Sequence, residues 1–385
     1  MTGRVLITGA RAPAALDLAR GFAAAGYEVH LADSRSSLMA RWSGLAAGLH
    51  RYGSPTLEPE AFLRDIDGLV RALDPALIVP VCEEVFHLAS AGQASGWAQR
   101  LFAPSTGVLD RLHSKFRFIE LSGALDLPAP TTRRITDRAE LAEVAGDGSR
   151  SVFKAEYSRF GAGVLVGPSP ARLAKIDPTP ARPWVMQDRI IGREACFYAV
   201  ALEGRLTAFS AYESAWRLSG GAGYAFAPLK TLMRDRLSIM AERLAGFVGT
   251  GQFACDLIID ADDRPWLIEC NPRATSGVHL FGGGRGLADA MMGRTTQVAL
   301  GEEGGCLGPA MWRYGLPTAL GTGRLAAWRA ERRRGQDVIG RGDRGAAIGA
   351  VFDSAAFSLQ ALLADQSLEQ AMTADIEWNG PGGGS

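Results

Sequence analysis

The chain reads as an α/β protein, with a parallel sheet of the Rossmann type in its N-terminal third and an antiparallel sheet in its second half. Three observations carry that reading. Apolar strand-like runs alternate with helical stretches from residue 4 to about 103. A hairpin turn sits at 260–264, between two apolar runs. Between these regions, residues 168–183 are rich in proline and show little periodicity, as expected of a small separate unit.

The elements follow in order. Arg4-Val5-Leu6-Ile7-Thr8 is a buried strand, 13–25 an amphipathic helix and 28–33 the next strand. A helix at 60–73 leads to the strand 77–81, and 101–103 adds another. A dinucleotide site would need a glycine fingerprint after the first strand. Gly9-Ala10-Arg11-Ala12-Pro13-Ala14 lacks its second and third glycines, and Arg11-Ala12-Pro13 would crowd a pyrophosphate, so an NAD-dependent reductase or epimerase rests only on this first strand-turn-helix. Glu83 and Glu84 follow the strand 77–81 at its C-terminal end, the usual ligand edge of an open α/β sheet. Either is placed to hold a substrate amine, and equally to occupy the first turn of the next helix, where acids complement the dipole.

Pro128 and Pro130 mark entry to the small unit at about 121–184. Its strand Ser151-Val152-Phe153 ends at Lys154, and the loop Ser158-Arg159-Phe160-Gly161-Ala162-Gly163 follows, with backbone amides suited to closing over phosphates. Among 47 glycines a G-x-G also arises by chance, and a lone lysine is more often a solvated surface residue. Residues 213–225 are read as a second mobile segment. Arg217 there is a substrate-carboxylate clamp or part of an ordinary loop.

The most informative stretch is Trp266-Leu267-Ile268-Glu269-Cys270-Asn271-Pro272-Arg273. Side chains alternate along a strand, so Glu269 and Asn271 share one face and Ile268 and Cys270 take the other. With the turn centred on Asp262-Asp263, Asp256 of the preceding strand 252–259 pairs with Glu269. Two carboxylates at that separation, roughly 5 Å between Cβ atoms, need a cation or a raised pKa on one partner. Magnesium takes one or two carboxylates and leaves its other positions to phosphate and water, which suits Asp256, Glu269 and Asn271. The plainer alternative is a solvated Glu269 with Arg273 as its salt-bridge partner. His279, a little further on, is substrate lining or core packing.

The segment Glu269-Cys270-Asn271-Pro272-Arg273 resembles the E-x-N-P-R segment of ATP-grasp enzymes, close to the carbamoyl phosphate synthetase large subunit and to carboxylate-amine ligases. The resemblance extends upstream through Lys115 in His113-Ser114-Lys115-Phe116-Arg117, Lys154 with its loop, and Gln187-Asp188-Arg189-Ile190-Ile191-Gly192-Arg193-Glu194. It implies an ATP-grasp fold: a Rossmann-like pre-ATP-grasp domain at 1–110, an ATP-grasp domain at 111–300 with a lid at about 121–186 and a metal-binding subdomain at about 187–300, and an extension at 301–385 with a flexible tail from Gly380. It implies ATP and Mg2+, with nucleotide held by Lys115, Lys154, Ser158, Gly161, Gly163, Gln187, Asp188, Arg189, Ile190 and Glu194. The hinge strand from Gln187 reads adenine and Glu194 the ribose; Gln187 departs from the more frequent glutamate. Arg273 and Lys154 are the implied catalytic groups. The activity implied is ADP-forming coupling of a carboxylate to an amine through an acyl phosphate. Alternatives are a bicarbonate-activating carboxylase or carbamoyl-phosphate-type enzyme, and a non-catalytic ATP-binding regulatory protein.

Composition agrees. A chain of 385 residues holds two or three domains, and 47% apolar with 21% charged residues is ordinary for a globular protein. Zero net charge provides no long-range field for nucleic acid, and the basic run 329–334 reads as the solvated face of a helix. The five cysteines have no C-x-x-C spacing, the first ten residues do not form a signal peptide, and no apolar run approaches roughly 20 residues, so the expected setting is cytoplasmic, without a membrane. The expected partners are a small-molecule carboxylate and amine, amino acids first among them; a homodimer is left open.

Overall fold

The computed structural model describes residues 3–144, 146, 148–158, 163–218, 221, 223–334 and 336–380. Its first sheet is parallel, in the order β3-β2-β1-β4, from β1 (Arg4–Thr8), β2 (Glu28–Asp33), β3 (Gly48–Arg51) and β4 (Leu77–Val79). Val5, Leu6 and Ile7 have no exposed surface, as a strand covered on both faces requires. Leu101 adds a parallel bridge beside Ile78. Helix Pro59–Leu73 buries Phe62, Ile66, Val70 and Leu73, one stripe at helical spacing, and stops at Asp74 in the left-handed conformation (φ 44°).

The small unit is a four-stranded antiparallel sheet ordered β5-β8-β6-β7, made of β5 (Thr132–Ile135), β6 (Ser151–Ala155), β7 (Leu165–Val166) and β8 (Trp184–Asp188). Ile135, Leu141, Phe153, Leu173 and Ile176 form its own core.

The large sheet contains β9 (Arg193–Leu202), β10 (Arg205–Arg217), β11 (Gly223–Pro228), β12 (Gly251–Ile259), β13 (Pro265–Asn271), β14 (Ala299–Gly301), β15 (Gly305–Cys306) and β16 (Gln336–Asp337). Its main path runs β13-β12-β9-β10-β11-β15-β16, with β14 beside β10. Alternation along β9 builds two layers. Phe197, Ala199 and Ala201 face a core shared with helix Thr231–Val248, whereas Tyr198 and Val200 join a core containing β1 and helix Pro13–Ala24. The large sheet is thereby clamped between the helix behind it and the N-terminal sheet, which brings the carboxyl ends of β1 and β4 toward the end of β13.

One expectation is corrected. Residues 213–217, read as a mobile segment, are the end of β10, and Trp216 is buried there beneath Arg324 (4.7 Å to the ring centroid). Helix Arg344–Leu363 is, among the described residues, one 20-residue helix long and apolar enough by length and composition to cross a membrane. It escapes a search for an unbroken apolar run because small and polar residues dilute it: Gly345, Gly349, Asp353, Ser354 and Ser358. Asp353 accepts hydrogen bonds from the backbone N–H groups of Leu38 and Met39 (both 2.9 Å), capping the helix Leu38–Trp42, and Gly349 lies so close to Leu38 that a Cβ would come within 2.5 Å of its backbone.

Candidate active site

The turn at 260–264 starts the hairpin one residue off the expected register, Ile259 with Pro265 and Leu257 with Leu267. A β-bulge at Ile268 then gives the expected pairs, Asp256 with Glu269, Cys255 with Cys270 and Ala254 with Asn271, and puts Ile268 on the cleft side rather than with Cys270. Asp260 builds that turn by accepting from the N–H groups of Asp262 (3.0 Å) and Arg264 (2.9 Å) and from the Trp266 indole (2.8 Å). Cys255 and Cys270 pack into the core under helix Thr231–Val248, leaving Asp256, Glu269 and Asn271 on the opposite face. That face forms the floor of a cleft of about 530 Å3.

Its electrostatics are uneven. Burial, and then the charge of Glu269, push the Asp256 carboxyl up to about 7. Burial also pushes Glu269 upward, but Lys115 and Lys154 outweigh it and hold Glu269 below its ordinary value. Lys115 Nζ lies 3.7 Å from Glu269 Oε2. Asn271 donates its amide N–H to Asp256 Oδ2 (3.2 Å) and accepts from Arg273 Nη2 (3.3 Å). Two facing carboxylates, one of them raised by burial and by its neighbour's charge, plus an amide oxygen make a hard-oxygen set that a divalent cation such as magnesium fits.

The opposite wall comes from the small sheet and the strand that leaves it. Val152, Lys154, Ser158, Val166 and residues 187–192 line it. Lys154 is buried at the end of β6, and burial lowers its pKa, with Lys115 acting in the same direction and Glu269 against it. Its ammonium donates to Gln187 Oε1 (3.0 Å), while Gln187 Nε2 donates to Thr132 Oγ1 (3.1 Å). The side chain of Gln187 is therefore engaged inside the sheet, as the neutral partner of a buried lysine. Gly192 turns the chain toward β9 where a Cβ would meet the Ile259 carbonyl oxygen at 2.2 Å, so only glycine passes. Asp188 is exposed, and the Arg189 guanidinium reaches the Ser149 carbonyl (3.5 Å). Gly163 is left-handed (φ 73°), and Gly161 lies outside the described residues.

Several expected ligands sit differently. Lys115 does not line the cleft. It is buried behind Glu269, and its ammonium donates to the carbonyls of Ser158 (2.8 Å) and Glu156 (3.5 Å). Glu194 and Arg217, expected at ribose and at a substrate carboxylate, form an ion pair with each other across adjacent rungs of the large sheet (2.5 Å). Glu83 is buried, and its Oε2 accepts from the Trp378 backbone N–H (3.2 Å), so the C-terminal segment occupies the position proposed for an amine. His279 is buried against Asp17 of helix Pro13–Ala24 (2.8 Å) and stacks on Phe226; of its two readings, packing is the one realised. Gly380, read as the start of a flexible tail, is buried against the Tyr157 ring.

Thr275 and Ser276, in the small polar stretch read as leaving room for a ligand after Arg273, line the cleft, and so do Cys196 and Tyr212, which the sequence reading missed. Cys196 pairs with Asp256 across β9 and β12 and donates its thiol to Asp256 Oδ1 (2.7 Å). Burial and that carboxylate push the thiol well up, so it remains a neutral donor. Nothing local flags it, because β9 and β12 are about sixty residues apart.

No family model matches the chain, and no curated protein matches it. Solved structures of similar shape include N5-carboxyaminoimidazole synthase from Aspergillus clavatus in complex with ADP (TM-score 0.62, 16% identity, 83% of this chain and 86% of that one). Others are the biotin carboxylase domain of the Hydrogenobacter thermophilus 2-oxoglutarate carboxylase with MgADP and bicarbonate (0.61, 16%, 76% and 71%) and phosphoribosylamine–glycine ligase from Thermotoga maritima (0.59, 17%, 78% and 78%). None of these three is a carbamoyl phosphate synthetase.

Proposed function

We propose that this chain, which has the ATP-grasp fold, is an ADP-forming ligase that activates a carboxylate with ATP and couples it to an amine. One observation carries the reading: the in-register Asp256–Glu269 pair, backed by Lys115 and faced by Lys154 across a cleft large enough for a nucleotide. Acids left facing each other in a partly closed cleft are costly unless the missing charge arrives with a ligand.

Asp256, Glu269 and the Asn271 amide oxygen would hold magnesium, which supplies charge neutralisation at the β- and γ-phosphates when bound. Lys154 supports the phosphates from the lid, Ser158 lines the same wall, and Gly163 belongs to the phosphate loop we propose. Lys115, bound to two carbonyls, acts mainly on Glu269 by keeping it ionised. The segment 187–190 lines the wall where adenine would lie, with the Asp188 and Arg189 N–H groups already committed to the Thr131 and Arg150 carbonyls. Glu194 serves the ribose only when Arg217 lets it go, and Arg217 is then available for the substrate. The substrate carboxylate attacks the γ-phosphorus in line, ADP leaves, and an acyl phosphate forms. The amine then attacks the acyl carbon and inorganic phosphate departs. The Arg273 fork, beside Asn271, is placed to steady the charge on the transferred phosphoryl group. Amino acids are the substrate class we infer, and five free cysteines fit a reducing cytoplasm.

Titration calorimetry with Mg·ATP, followed by ADP and phosphate release across paired amino acids and small acids, tests the reading. Magnesium-dependent nucleotide binding with phosphate release only when carboxylate and amine are both present is expected. Release with bicarbonate alone would replace the ligase by a carboxylase, binding without turnover across all pairs would make it a regulatory ATP-binding protein, and no binding at all would remove the nucleotide.

A further inference from the structure

The last described residues form a strap across the carboxyl edge of the N-terminal sheet. Asp375 anchors its start, accepting from both terminal nitrogens of Arg11 (2.8 Å each) and from Ser34 Oγ (2.6 Å). Ser54 and Thr56 donate their hydroxyls to the backbone carbonyls of Asp375 (2.7 Å) and Ala374 (3.0 Å). Further along, the Trp378 indole stacks on Phe86 (centroids 4.4 Å apart, planes within 3°) and its backbone is tied to Glu83.

What Trp378 touches next connects the strap to the cleft. The Tyr157 ring stands edge-on to it (5.5 Å, 88°), and the His113 ring lies 5.9 Å away. Tyr157 immediately precedes Ser158, whose carbonyl receives the Lys115 ammonium. His113 stands two residues before Lys115 itself. Trp378 is thus wedged against both chain segments that hold this ammonium beside Glu269. Gly380 closes the wedge from the other side, where a Cβ would come within 2.7 Å of the Tyr157 ring. Tyr157 is otherwise fixed through its hydroxyl, which donates to Asp110 (3.0 Å). The flanking Glu156 is buried and already engaged by Ser114 and by Arg134 (2.6 Å).

We infer that Trp378 is a positioning residue for the nucleotide site: the strap sets Tyr157 and His113, these set the 156–158 turn and the start of helix Lys115–Ala124, and the two together hold Lys115 against Glu269. The inference rests on the proposed nucleotide function and deepens it, because it makes the C-terminal segment part of the site's support rather than an appendage. It also gives a reason why an aromatic residue so near the chain end is stacked and half-buried.

The test compares Mg·ATP affinity, by calorimetry, in the full-length wild type and in variants. Trp378→Ala is expected to weaken binding by about tenfold or more, the range typical of losing a residue that orients a ligand-holding group. Trp378→Phe, which keeps the stack on Phe86, should recover most of the affinity. Trp97→Phe, which loses the indole bond to Asp67 (2.8 Å) in the core that Phe86 also joins, should lower the melting temperature and leave affinity unchanged. Should Trp378→Ala fail to fold, Gly380→Ala presses on Tyr157 from the chain end and is expected to weaken binding several-fold. Wild-type affinity in Trp378→Ala or Gly380→Ala, or an equal loss in Trp97→Phe, overturns the inference while the nucleotide reading stands. Absence of Mg·ATP binding by the wild type overturns both.

Discussion

Two pairs of acids, one joined across most of the chain and one within a single hairpin, have opposite electrostatic fates. At the edge of the N-terminal sheet, Asp33 and Asp375 flank Arg11, which binds both; all three side chains are nearly inaccessible. Burial alone would lower the Arg11 pKa, but the two carboxylates outweigh it and raise it, and Arg11 in turn holds Asp375 below its ordinary value against the upward push of burial. In the cleft, Asp256 and Glu269 face each other with no such fork between them, and Lys115 and Lys154 favour Glu269. The same residue types form a closed structural knot in one place and an open-faced pair backed by lysines in the other. What separates them is whether a guanidinium bridges both acids.

The comparison can be broken at either end. The largest effect is expected at the knot. Arg11→Ala leaves buried Asp33 without its guanidinium and Asp375 with Arg35 alone (3.2 Å), and should cost about 3–5 kcal/mol of stability in chemical denaturation. A loss below about 1 kcal/mol would mean that the knot is not held by charge. In the cleft the effect should appear in function instead. Glu269→Gln is expected to lower ATP-dependent phosphate release by about 10²–10³-fold, with a melting temperature at or above that of the wild type; an active Glu269→Gln enzyme would contradict the metal assignment.

Stability against pH should run in opposite directions at the two places. Asp375 is depressed when folded, so its contribution is present above its ordinary carboxylate pKa and is lost as pH falls through the lower folded value. Asp256 is raised from 3.8 to about 7, so its contribution is present below 3.8 and is lost as pH rises toward 7. Without divalent cations, the melting temperature should carry a downward component between about pH 4 and pH 7 that Asp256→Asn removes. Saturating Mg·ATP should also flatten it, because the cation takes the place of the proton. A wild-type profile identical to that of Asp256→Asn would show that the two acids do not interact. The smallest effect concerns Gln187. Gln187→Glu would give Lys154 a charged partner and hold its ammonium away from phosphate, weakening Mg·ATP binding by about 1 kcal/mol, roughly fivefold. Tighter binding would show that Lys154 works best when fixed.

Much of the cleft floor was legible before any coordinates, because the hairpin is local. The short turn and the two apolar runs bring Asp256 within one residue of Glu269; a bulge at Ile268, which breaks the alternation, completes that pairing and sends Cys255 and Cys270 to the core. The parallel N-terminal sheet was legible for a similar reason, since strands covered on both faces are apolar throughout. The supports of the site were not. Cys196 meets Asp256 only because β9 lies beside β12, Arg217 captures Glu194 only because β10 runs antiparallel to β9, and Trp378 closes on Glu83 from nearly three hundred residues away.

From sequence alone came the chemistry of the site and the existence of the hairpin, both set by short-range periodicity and turn residues. The partners that neutralise, orient or occupy those groups were decided in three dimensions. Contacts between distant segments depend on which layers pack together, and no spacing along the chain encodes that.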